Sequence, residues 1–192
     1  MPSLLETAYQ ETLGRAGDEG GLKFYQDAID RGDVTIEQVR QELSASDESD
    51  NLLSGNYLSA TGGTLDDATQ DFYQNKLASG ELNRGQIRQE IAQSDAGRNA
   101  LETIYQNQLG RDSDASGLAY YTGTLGGGRT VDEIRQEINE SSEGRQYRDS
   151  QAMIGADEDA FNETAQYGLS GSEAALESSL RAALGLIESS AM

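Results

Sequence analysis

The sequence predicts an all-α fold, a tandem array of three helical units of about 48 residues each followed by a C-terminal helix. Three observations lead there. One segment occurs three times, as Val39-Arg40-Gln41-Glu42-Leu43, Ile87-Arg88-Gln89-Glu90-Ile91 and Ile134-Arg135-Gln136-Glu137-Ile138. A second, Phe24-Tyr25-Gln26, returns as Phe72-Tyr73-Gln74 and as Tyr120-Tyr121, with Tyr9, Tyr57 and Tyr105 upstream in the same register. Apolar residues also fall four apart, the spacing of one helix face, while strand-like alternation is nearly absent and the single proline stands at position 2. Self-similarity at such a period marks a repeat architecture.

Each unit reads as three helices. Helix one carries Leu5, Tyr9 and Leu13 in the first unit (1–53) and Leu101, Tyr105 and Leu109 at the third (102–150). Gly14 and Gly110 follow the last apolar residue, where a helix stop is expected. Helix two holds Leu22, Tyr25 and Ile29, then Leu118, Tyr121 and Leu125. Helix three opens on Thr35 with Gln38, Asn83 with Gln86, and Thr130 with Glu133, three capping boxes or their Asn variant. Ser46, Ser94 and Ser141 are spaced to cap the helix that leads onward. The middle unit (54–101) departs in its loop, with Thr61-Gly62-Gly63 in place of Leu-Gly-Arg. From 151 to 192 the repeat ends in a Gly-, Ser- and Ala-rich link. Leu176, Leu180, Leu184 and Ile187 then form one narrow stripe on a final helix.

Composition excludes several function classes. There is no Cys and no His, which removes disulfides, thiolate metal sites and the commonest general base. No enzyme is expected; a carboxylate pair about 5–9 Å apart in a cleft would be needed to reopen that class. With 34 acidic against 14 basic residues, the net charge of -20 repels phosphate backbones and anionic membranes, so no nucleic acid is expected as a partner. No segment approaches the roughly 18 apolar residues needed to cross a bilayer, and no membrane insertion is expected. The first ten residues, with no basic flank and apolar core, do not read as a secretory signal, while export read from the C-terminus stays open.

The run Tyr105-x-x-x-Leu109-Gly110-Arg111-x-x-Asp114-x-x-Gly117-Leu118-x-x-Tyr121, followed by Gly128, Ile134 and Ser141, resembles the domain of unknown function 4214. The first unit repeats it with Tyr9, Leu13, Gly14, Arg15, Asp18, Gly21, Leu22 and Tyr25. The middle unit matches in its second half, and residues 151–192 do not match. More distantly, the pattern is similar to the helical linker domains of phycobilisomes. The resemblance implies a helical module of bacterial surface, secreted or bacteriophage proteins, and it transfers no catalytic residues. The expectation is a structural component of a phage virion, partnered by other structural proteins or by copies of itself. The alternative is an extracellular or cell-surface adhesion module that binds calcium or glycan weakly.

Five features carry two readings each. Asp112, Asp114 and Ser116 open like a calcium loop, yet the twelfth position, where a bidentate Glu belongs, is Gly123; the plainer role is a helix cap. Asp66-Asp67 are neighbours that do not face each other on a helix, and they suit the positive end of helix two. Arg15 and Arg111 could grip a partner's carboxylate or make an internal ion pair. Tyr25, Tyr73, Tyr120 and Tyr121 fit a stacking platform, or a core with the hydroxyl reaching the surface. The stripe at Leu176, Leu180, Leu184 and Ile187 either docks on a partner or covers the third unit.

Overall fold

A computed structural model describes residues 2–155. In order along the chain it contains α1 (Leu4–Leu13), α2 (Glu19–Asp30), α3 (Ile36–Ser44), α4 (Asp47–Thr61), α5 (Asp67–Ser79), α6 (Arg84–Gln93), α7 (Asp95–Leu109), α8 (Ala115–Gly126) and α9 (Val131–Glu140). Residues 142–155 are also helical, so the chain is still helix beyond 150, where the sequence suggested a link. No strand occurs among the described residues, and no helix there is long and apolar enough to cross a membrane. Leu176, Leu180, Leu184 and Ile187 lie outside the described residues.

Local chemistry sets the helix ends. Thr35, Asn83 and Thr130 each accept from the backbone N–H three residues on, and Gln38, Gln86 and Glu133 answer back to the cap's own N–H. Asp18, Asp66 and Asp114 cap the second helices by accepting from Gly21, Thr69 and Gly117. Each such cap satisfies orphan donors and stabilises by about 1 kcal/mol. The first helices end on Gly14, Gly62 and Gly110, whose φ values of 72°, 71° and 68° lie in the left-handed region that glycine adopts without strain.

Three apolar clusters follow the three repeats of the sequence. Leu5, Tyr9, Leu13, Val39 and Leu43 pack with Leu22, Tyr25 and Ile29, all from α1 to α3. Leu53, Tyr73, Leu77, Ile87 and Ile91 form the second cluster, from α4 to α6. Leu101, Ile104, Tyr105, Leu125, Ile134 and Ile138 form the third from α7 to α9, with Ala92 of α6 joining it. Leu53 and Leu101, which end the first and middle units as divided in the sequence, thus pack with the helices that come after them. Fully burying one Leu or Ile stabilises by roughly 1.5–3 kcal/mol, so these clusters hold the helices together. Between clusters the pattern is regular: α3 lies against α5, and α6 against α8. Residues up to Gly144 make one compact body, and those from Arg145 belong to a second.

Candidate interaction surface

The loop between helices one and two is built around an arginine fork. Arg15 follows the αL glycine of α1, and its guanidinium donates to Glu48 through Nε–Oε1 at 2.6 Å and Nη2–Oε2 at 2.7 Å. Arg111 does the same to Glu143, at 2.5 and 3.0 Å. Both also donate to a loop carbonyl, Ala16 or Asp112, and both lie over a tyrosine ring, Tyr9 at 5.6 Å or Tyr105 at 5.2 Å. The hydrogen bond from arginine holds the carboxyls of Glu48 and Glu143 below their ordinary range. Both guanidiniums are therefore engaged inside the chain. In the middle unit Gly63 replaces the arginine and Ala96 the glutamate, so both partners are absent together.

The loop with the calcium-like opening is used for capping. Asp114 Oδ1 accepts from the Gly117 N–H at 2.9 Å and from the Ser116 hydroxyl at 2.5 Å. Asp112 accepts from Gln106 at 3.2 Å. The Ser116 and Gly117 bonds lower the Asp114 carboxyl, as the Thr69 bonds lower Asp66 and the Gly21 bond lowers Asp18. Among the described residues no group of three or more carboxylates is placed to hold a metal ion.

The tyrosines divide. Tyr73 is buried, and Tyr25 and Tyr121 are half-buried, donating their hydroxyls to Glu42 and Glu137 at 3.0 Å. Burial first, and then the acceptor carboxylate, pushes Tyr25 up to about 12 and raises Tyr121 as well. Tyr120, grouped with the core by its sequence pattern, is instead 58% exposed, because the adjacent Tyr121 takes the inward position on α8. Its counterparts Phe24 and Phe72 are exposed too, at 66% and 50%. Each of the three stacks edge-on against the next tyrosine, with ring centroids 5.2, 5.2 and 5.0 Å apart. An outward aromatic thus stands at the same place in every unit.

The junctions between units are polar at their centres. Arg40 of α3 lies over Gly80 at the end of α5 and pairs with Glu11 at 2.7 Å. Arg88 of α6 donates to the Leu125 carbonyl of α8 at 3.2 Å and to Asn56 at 3.2 Å. Arg84 is 8% exposed and donates twice to the Thr12 carbonyl, at 2.9 and 2.7 Å, and once to Ser49 at 3.0 Å. Desolvation pushes its pKa down to about 10. Sequence reasoning passed over Arg84; the available signal was a charge where the other units carry Ile36 and Val131. At the outer end of the first unit, a cavity of about 590 Å³ opens among Leu5, Gln26, Ile29, Gly32, Val34 and Ile36.

The family model of a domain of unknown function (DUF4214) matches residues 98–147, which span α7 to α9 and the Arg111–Glu143 fork. Neither a curated protein nor a solved structure matches the chain.

Proposed function

We propose that this chain is a non-enzymatic structural or interaction protein, a component of a macromolecular assembly such as a bacteriophage capsid or tail. Its place would be the virion, and its partners other structural proteins or copies of itself. The outward aromatic at Phe24, Phe72 and Tyr120 carries the reading. Aromatic rings are enriched where proteins meet, since they bury much area with few torsions to freeze. One exposed ring is ordinary, but the same ring on the second helix of three successive units is a repeated contact element. The non-enzymatic part is supported by how Asp18, Glu48, Asp66, Asp114, Glu137 and Glu143 are used: each is committed to a helix cap or to an arginine within the chain. The third unit matches a domain of unknown function, and the setting is taken from the kinds of protein that the sequence resemblance implies.

The test is incorporation. Particles purified on a density gradient should contain the chain at fixed stoichiometry. A variant with alanine at 24, 72 and 120 should stay folded, melting somewhat lower for the lost edge-on ring contacts, yet fail to incorporate. Absence of the chain from washed particles would sink the virion reading. The second reading, an exported module, is favoured by the Tyr120 ring, which is open enough to stack on a sugar. It requires the protein in culture medium and a rise in melting temperature with calcium or glycan.

A further inference from the structure

One of the outward rings already holds a cation. Lys76 of α5 stands four residues after Phe72, on the same helix face, and its ammonium lies over the ring at 5.1 Å from the centroid. The same ammonium pairs with the Glu81 carboxylate, so the charge is held between a π face and an acid. Phe72 is accordingly the least exposed of the three rings, at 50% against 66% for Phe24 and 58% for Tyr120. Position 76 corresponds to Ala28 and Thr124 in the other two units, and neither side chain carries a charge. The cations near those rings along the chain are turned to carboxylates. Lys23, beside Phe24, pairs with Asp27 at 2.9 Å, and Arg111 and Arg129, which bracket α8, pair with Glu143 and Glu137 at 2.5 Å each.

Charge points the same way. Residues 18–33, around α2, carry five acidic residues against two basic ones; residues 66–81 carry four against one, and residues 114–128 one against none. A second copy of this chain brings the same net charge of -20 and would be repelled. We propose that Phe24 and Tyr120 each receive a lysine or arginine side chain of a partner, as Phe72 receives Lys76, and that this partner is a basic segment of another protein. The proposal rests on the reading of the three rings as contact elements and names the chemistry of what meets them. The acidic surface draws a basic segment in, and the rings fix where its cations settle, because a π face attracts a cation and an aliphatic side chain does not.

The probe is octa-arginine, titrated at low salt into the full chain and into a variant carrying Phe24→Leu and Tyr120→Leu. Leucine keeps an apolar side chain and the same net charge, so the π faces are what is lost. The expected result is an affinity about two- to fivefold weaker for each ring removed, about tenfold for the pair, in a variant whose melting curve shows it folded. Phe72→Leu, whose ring Lys76 already covers, should leave the affinity unchanged. On the wild-type chain, which needs no substitution, the ring protons of Phe24 and Tyr120 should shift on titration more than those of Phe72. No binding, no shift at those two rings, or an affinity that the double variant leaves unchanged overturns the proposal. So does self-association of the wild-type chain that the double variant abolishes, which would make a second copy the occupant. Peptide binding is measured without particles, so it can fail while incorporation holds, or hold while incorporation fails.

Discussion

Arg84 offers the sharpest test of how the first two units are joined. It is buried, its Nη1 has no hydrogen-bond partner, and no carboxylate touches it. The fall of its pKa to about 10 corresponds to about 3 kcal/mol of desolvation. Against that, bonds from a charged donor contribute about 1.5–3 kcal/mol each, so the Thr12 carbonyl and Ser49 hydroxyl together contribute about 4. The three methylenes of the stem add about 2 kcal/mol by burial. Arg84→Ala removes all three contributions, for a net loss of about 3 kcal/mol. Arg84→Met keeps most of the stem and should lose only about 1 kcal/mol. In a domain of this size the alanine variant should melt about 6–12 °C lower and the methionine variant about 2–4 °C lower. Calorimetry on both decides. Methionine falling as far as alanine would show that the hydrogen bonds outweigh desolvation far more than assumed. Neither variant falling would refute the claim that Arg84 joins α6 to the end of α1.

Three further outcomes follow from the same contacts. Introducing Gly63→Arg with Ala96→Glu should rebuild the missing fork, with a double-mutant coupling below about 1 kcal/mol at low salt because the groups are exposed, and none at 1 M salt; a zero at both salts means the loop geometry differs. A Cβ at Gly117 would overlap the Tyr105 hydroxyl, so Gly117→Ala should cost roughly 1–3 kcal/mol, and adding Tyr105→Phe should recover part of it in urea unfolding. Tyr9, Tyr25, Tyr73, Tyr105 and Tyr121 all have raised pKa values, first through burial. The folded chain therefore holds these protons more tightly than the unfolded one. Stability from these groups should be complete below pH ~10 and fall as pH rises towards 12, which melts recorded alongside tyrosinate absorbance would show; a stability flat over that span contradicts it.

Much of the fold was legible because the signals were local. A capping box needs only residues i and i+3, so Thr35, Asn83 and Thr130 marked their helices correctly. Apolar spacing of four identified Val39 with Leu43 and Ile134 with Ile138. The candidate surface was less legible because its features depend on what lies opposite. Adjacent rings at 120 and 121 look alike in sequence, and only the turn of α8 decides which faces out. Arg15 and Glu48 stand 33 residues apart, so no helix-length pattern links them. Arg84 is buried by α1, which precedes it by some seventy residues.

The forks also say where this chain can be cut. Arg15 is satisfied by a residue in the first turn of α4, and Arg111 by one just past α9. A unit that keeps its fork therefore runs from helix one through its own third helix and includes the opening turn of whatever follows. Trimmed at Glu140, where α9 ends, the third unit would lose Glu143 and leave Asp114 at 3.7 Å as the carboxylate paired with Arg111. Recombining such units, in the laboratory or in a genome, preserves the loop when the exchange point lies after that turn. An exchange ahead of it removes the acceptor of the fork, and the middle unit, lacking both residues, has no fork to lose.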